Sequence, residues 1–481
     1  MKRARRSPCS PTAAAAALAL ATALPGCSLA PHYERPSTAA PPPEYKEMAG
    51  WKIAVPADTA PRGEWWKVFH DPELDALEVQ LAGANQSLKA ALARLDQARA
   101  QTRFARSSLF PTVTAVASAT RGETSTYAIG FNRGAERTGN TFIAAGDLSY
   151  ELDVFGRVRN TVAGAHASEQ ASAGDLAALD LSLQAELATD YLSLRGLDIE
   201  QELLDQTVED YIRALELTQN LYKGGAAAIL DVNQAQAQLE TARTQAEETR
   251  LRRAQTEHAI AVLVGVEPSA FSLPARSDAQ LAVPSIDPGL PSQLLERRPD
   301  VAAAERRVAA ANAAIGVARA AYFPTFSLTG ALGSTAGTTA EWLTAPSRFW
   351  SIGPQALLTV FDAGAHAAQS AQAHAAYDEQ VANYRGTVLV AYQDVEDNLA
   401  ALRQLQRESV SQAAAVTAAQ GALEQANLRY KGGIVTYLEV VTTQNTALAA
   451  RLAAVDIQTR RVTAAVLLVK ALGGYWTPSV P

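Results

Sequence analysis

Leu221-Tyr222-Lys223-Gly224-Gly225, leading to Leu230-Asp231-Val232, returns 208 positions later as Arg429-Tyr430-Lys431-Gly432-Gly433, leading to Leu438-Glu439-Val440. In both copies a Tyr-Lys-Gly-Gly turn separates two very long, polar and alanine-rich stretches with helical spacing. Paired glycines supply the left-handed backbone that ends a helix. The acid that follows, Asp231 or Glu439, opens the next helix, where the positive end of the macrodipole favours it. Each copy therefore reads as the tip of a long helical hairpin, and the chain as an internal duplication.

The duplication extends outward from the tips. Leu109-Phe110-Pro111-Thr112 returns as Tyr322-Phe323-Pro324-Thr325, and Val264-Gly265 is answered by Leu472-Gly473. Arg157 to Tyr222 has no proline, which suits one helix of about 100 Å at 1.5 Å per residue, and Ala363 to Tyr430 matches it. On the second of these, Val381, Tyr384, Val388, Tyr392, Val395, Leu399 and Leu402 recur every three or four residues, a coiled-coil-like rhythm. Two repeats follow, 64–267 and 293–476, joined by a proline-rich linker, 268–292, and closed by a short tail, 477–481.

Between the helices the period changes to two. Four strands are predicted at about 112–120, 141–152, 325–333 and 350–360, apolar on one face and polar on the other, with aromatic residues gathered at their ends. Strands of this length and pattern fit a transmembrane β-barrel. Four strands cannot close a barrel, and lipid does not tolerate open edges, so several copies must share one.

The chain has 481 residues and a net charge of −7. That charge, with no basic stripe interleaved with aromatics, argues against nucleic acid as a partner. The six histidines show no metal-ligand spacing, and there is no phosphate loop or nucleophile motif, so neither catalysis nor a metal is expected. Residues 1–26 carry a basic start and an apolar run too short to span a bilayer, which suits an export signal. The run ends in Leu24-Pro25-Gly26-Cys27-Ser28, and a proline-rich arm, 27–63, follows.

Leu24-Pro25-Gly26-Cys27 resembles the bacterial lipobox, with Pro25 as its one departure. That resemblance implies a covalent lipid on Cys27 and no other cofactor. Arg297-Arg298-Pro299-Asp300-Val301, Ala311-Asn312-Ala313-Ala314-Ile315-Gly316, the Trp65-Trp66 segment and the two tips together resemble the outer-membrane factor family, TolC- and OprM-like, in its NodT-like lipoprotein branch.

The resemblance implies a mainly α fold with a small β part: a homotrimer with a helical tunnel and a shared twelve-stranded barrel in the outer membrane. A periplasmic adapter and an inner-membrane transporter of the RND type would dock at the tunnel's lower end. It also implies a periplasmic aperture at Asp231, Glu439, Tyr222 and Tyr430. The turn and docking residues would be Gly224, Gly225, Leu230, Val232, Gly432, Gly433, Leu438 and Val440. Val435 stands where some members carry an Arg that pairs with the gate acids, so no salt-bridge latch is expected. The function implied is a passive exit duct for drugs or other small molecules. The alternatives are a duct for type I protein secretion, or a lipid-anchored coiled-coil scaffold that conducts nothing.

Overall fold

The structure, a computed structural model, describes residues 28–38, 63–123, 125, 127, 138–277, 281–284 and 298–474. The export signal, Cys27, arm residues 39–62 and the tail 477–481 lie outside the described residues. In order, the elements are α1 (Pro72–Ala84), α2 (Gln86–Ser107), β1 (Thr112–Glu123), β2 (Thr138–Leu152), α3 (Arg157–Lys223) and α4 (Ile229–Leu263). The second repeat adds α5 (Pro299–Ala320), β3 (Thr325–Ala336), β4 (Arg348–Leu357), α6 (Ala365–Lys431) and α7 (Tyr437–Ala471). The duplication holds in helix length. Both α3 and α6 have 67 residues, and both α4 and α7 have 35. Among the described residues, no helix is long and apolar enough to cross a membrane.

Contacts divide the chain into two units, described separately. The first comprises Met1–Pro36, Asp96–Ala171 and Glu305–Ala382, and the second Ser37–Leu95, Ser172–Ala304 and Asn383–Pro481.

In the first unit the strands form one antiparallel sheet in the order β1-β2-β3-β4. The register places Val113 opposite Leu148, Leu148 opposite Gly330, and Leu332 opposite Trp350. Because side chains alternate along a strand, these residues share one face, while Thr114, Asp147, Ser149 and Thr329 share the other. The apolar face is uncovered: Val113, Leu332, Trp350 and Ile352 are all exposed. Three strands run up to three residues past their predicted ends, but β4 stops at Leu357 rather than 360. Its last partner is Thr325, and the residue before that is Pro324, which has no N–H to continue the ladder. Pro354 is tolerated inside β4 because this is an edge strand.

The second unit is helical. Asp71 caps α1 by accepting from the Glu73 N–H at 3.0 Å, with Pro72 as first helical residue. The core at this end joins Trp65, Trp66, Leu74, Leu81, Leu187, Ile260, Val462 and Val466. Beside it the buried Arg195 donates to Asp198 at 2.6 Å, to Glu73 at 2.9 Å and to the Pro274 carbonyl at 2.9 Å. Together with the buried Leu273 and Leu281, this docks the described part of the proline-rich linker onto the helices. Arg298 of the Arg-Arg-Pro-Asp stretch serves the second repeat similarly, pairing with Asp394 on α6 at 2.8 Å.

Candidate functional site

Both hairpin tips lie in the helical unit and are closed by the same device. At the first, Ala226 N–H donates to Leu221 O at 2.8 Å and Gly225 N–H to Tyr222 O at 2.9 Å. At the second, Ile434 N–H donates to Arg429 O and Gly433 N–H to Tyr430 O, each at 2.9 Å. This paired pattern satisfies the last carbonyls of α3 and α6 and requires a left-handed residue after the helix. Gly225 and Gly433 supply it, with φ of 78° and 71°. Gly224 and Gly432 have ordinary φ, so of the four glycines expected to be essential, the turn's backbone requires the second of each pair.

The acids behave differently at the two tips. Asp231, the third residue of α4, accepts from the N–H of its own cap, Ala228, at 3.1 Å. Glu439, at the matching place on α7, turns back across the turn to Arg429 Nη1 at 2.8 Å. An ion pair is therefore present at this tip, contrary to the expectation drawn from Val435. The cation comes from the end of α6, not from the turn. Both partners are substantially exposed, and such a pair contributes about 0–1 kcal/mol.

The tyrosines are also unequal. Tyr222 is exposed, whereas the ring of Tyr430 lies 5.3 Å from that of Tyr437, which is buried. Tyr437 joins Tyr211, Leu215, Ala235, Leu239 and Val440 in a core just behind the tips, with Val232 and Tyr430 packed against it. Burial, with the nearby charges of Tyr430, Tyr211 and Asp231 adding, pushes the Tyr437 hydroxyl up to about 12. Burial first, and Asp231 with it, also raises Tyr430. The start of α4 therefore sits beside the turn between α6 and α7, and the two tips form one structure.

A polar layer lies deeper, where Gln238 Nε2 donates to Tyr211 Oη at 3.1 Å and to Asn445 Oδ1 at 2.5 Å. Val440 is buried in this interior, and the half-buried Val232 packs against it. One residue past the acid, each is rotated by a helical step toward the neighbouring helices. Leu230, Leu438, Ile229 and Ile434 remain outward and exposed.

Sequence reasoning passed over Arg429, Tyr437 and Tyr211. The first two were detectable from the repeat, because Arg429 stands against Leu221, and Tyr437 against Ile229. Among the described residues no cluster of His, Cys, Asp or Glu is able to hold a metal. His366 is paired with Asp362 at the start of α6, beside the Tyr322 ring.

The family model for outer membrane efflux proteins matches residues 77–266 and 290–474, one match to each repeat. Outer membrane protein OprJ of Pseudomonas aeruginosa is 34% identical over 469 residues, covering 97% of this chain and 96% of its own. The toluene efflux pump outer membrane protein TtgC of Pseudomonas putida is 33% identical over 462 residues, covering 94% and 93%. The solved outer-membrane channel OprN superposes with a TM-score of 0.84 at 31% identity, covering 94% of this chain and 100% of that one. A two-repeat chain with this sheet, these helix lengths and these tips belongs to the outer membrane efflux protein family.

Proposed function

We propose that three copies of this chain close one barrel and one helical tunnel, forming the exit duct through which a tripartite system expels small molecules. One observation carries this reading: a four-stranded sheet with an uncovered apolar face and two unpaired edges, β1 and β4. In water such a face is costly, and in lipid such edges are. In a bilayer the face is solvated by lipid, and the edges are satisfied when β4 of one copy pairs with β1 of the next. A non-conducting scaffold has no use for either feature.

On this reading the tips form the periplasmic aperture, with Asp231 and the Arg429–Glu439 pair around it. The exposed Leu230, Leu438, Tyr222 and Ile434 offer apolar contacts to the helical end of a periplasmic adapter. Energy comes from an inner-membrane transporter of the RND type. A covalent lipid on Cys27 adds a second hold on the membrane, about 0.8 kcal/mol per buried CH₂. Native mass spectrometry of the protein extracted from outer membranes tests the assembly. Three copies, each with a lipidated N-terminus, are expected, and a monomer would end this reading.

A further inference from the structure

The loop between β3 and β4, residues 337–347, is built against one face of the sheet. Helices join the strands near Thr112, Leu152, Thr325 and Leu357, all at one end of the sheet, so this loop lies at the other. In an outer-membrane chain of this family that end faces the exterior. Ser334, near the end of β3, is buried. Its Oγ accepts from the Leu343 N–H at 3.2 Å and lies 2.6 Å from the Ser347 Oγ. The Trp342 ring packs on Phe142, with centroids 5.8 Å apart.

These contacts fix the direction in which the loop folds. Phe142 is opposite Ala336, and Ser334 is opposite Ala144 and Arg348. By alternation, Phe142, Ser334 and Arg348 share the apolar face with Leu148, Leu332 and Trp350. The loop therefore folds back over the apolar face and stands beside the polar side of the sheet, not across it. Its backbone is held there against strain. Leu343 has a φ of 79°, which a residue with a Cβ rarely adopts. Ser334 holds it from one side, and on the other the Thr344 N–H donates to the Glu341 carbonyl at 3.1 Å. The strained residue stays apolar and outward: Leu343 is 65% exposed, as an isolated loop in water has no reason to keep it.

We propose that this ledge is a seat for the phosphorylated, multiply acylated glycolipid of the outer leaflet, with acyl chains against Trp342, Leu343 and Trp350 and a phosphate on Arg348. This rests on the reading above that the apolar face meets lipid. Arg348 opens β4 on that face, one same-face step from Trp350, and is exposed. Among the described residues it has no acidic partner. Glu341, the acid of the loop, instead accepts from the Thr338 hydroxyl at 3.0 Å. A guanidinium at the rim of a lipid-facing surface is costly to leave among acyl chains, and a headgroup phosphate offers it two parallel hydrogen bonds. Arg121, exposed on the same face near the same end of β1, adds a second cation to the rim.

The test titrates the full chain, extracted from outer membranes and stripped of lipid in detergent, with purified lipid A carrying its phosphates. Dephosphorylated lipid A and phosphatidylglycerol serve as comparison lipids, and native mass spectrometry reads the bound lipid and the copy number together. Wild type is compared with Arg348→Ala, Trp342→Ala and Leu343→Ser. Wild type should bind phosphorylated lipid A more tightly than phosphatidylglycerol. Arg348→Ala should weaken phosphorylated lipid A about tenfold, the loss of one charge-assisted contact, and leave the dephosphorylated form unchanged. Trp342→Ala and Leu343→Ser should weaken both forms of lipid A several-fold.

Phosphatidylglycerol bound as tightly as lipid A would make the ledge an ordinary part of the lipid-facing surface and overturn the inference. So would equal binding of phosphorylated lipid A by wild type and Arg348→Ala, or by wild type and Leu343→Ser. A wild-type chain that is monomeric would instead remove the shared-barrel reading, a result distinct from these. If Trp342→Ala does not assemble, the exposed Leu343→Ser gives the same comparison.

Discussion

Arg429 and Tyr437 distinguish the second tip from the first, and their energetic weights differ. The Arg429–Glu439 pair is half exposed, so Arg429→Leu should change thermal stability by less than about 1 kcal/mol. Tyr437 is buried, and Tyr437→Ala should cost about 3 kcal/mol by cavity formation. Thermal unfolding of the two variants beside wild type checks this order. The pair's effect is electrostatic: Arg429 offsets the charge of Glu439. Glu78 on α1 offers a second residue-level test. It is buried, neither carboxylate oxygen has a hydrogen-bond partner, and burial, with the charges of Asp180 and Asp75, pushes it up to about 9. A pKa raised on folding lends stability that is complete below the ordinary value of 4.5 and lost as pH climbs to about 9. Within that window the slope is about 1.4 kcal/mol per pH unit. Glu78→Gln should flatten it, as read by denaturant melts at pH 5, 7 and 9.

The long helices, their tips and the strand pairs were legible in the sequence because each rests on a local signal. These signals are helical spacing without proline, glycine after a helix, and alternation between Phe-Pro-Thr and the next turn. What was not legible depends on neighbours in space. Asp231 and Glu439 look alike in a motif, yet one caps its own helix and the other reaches Arg429 across the turn. Val440 looks like a surface apolar residue until α4 and α6 are packed around it. The end of β4 is set by Pro324 on its partner strand. The paired glycines likewise separate only when φ is known. Gly225→Ala forces a left-handed alanine and should cost about 1–2 kcal/mol. Gly224→Ala, whose Cβ would meet backbone oxygens at an ordinary 3.6 Å, should be close to neutral or mildly stabilising. Hydrogen exchange at the first tip tells the two apart.

For the molecule as a whole, the sheet decides what kind of protein this is. Its polar face, Thr114, Asp147, Ser149 and Thr329, suits a wet lumen, and its apolar face suits lipid. Leu332→Arg on the apolar face should cost about 2–4 kcal/mol if that residue lies near the bilayer midplane, and less toward its edges. The fraction of protein inserted in outer membranes reads this directly, and Thr329→Arg on the polar face should leave insertion unchanged. The central claim, the proposed duct with its aperture at the tips, is tested most directly by planar-bilayer conductance of wild type beside Asp231→Ser/Glu439→Ser. A low wild-type conductance that rises severalfold in the double variant is the predicted result. Current through neither protein, once both are inserted as trimers, would contradict the duct.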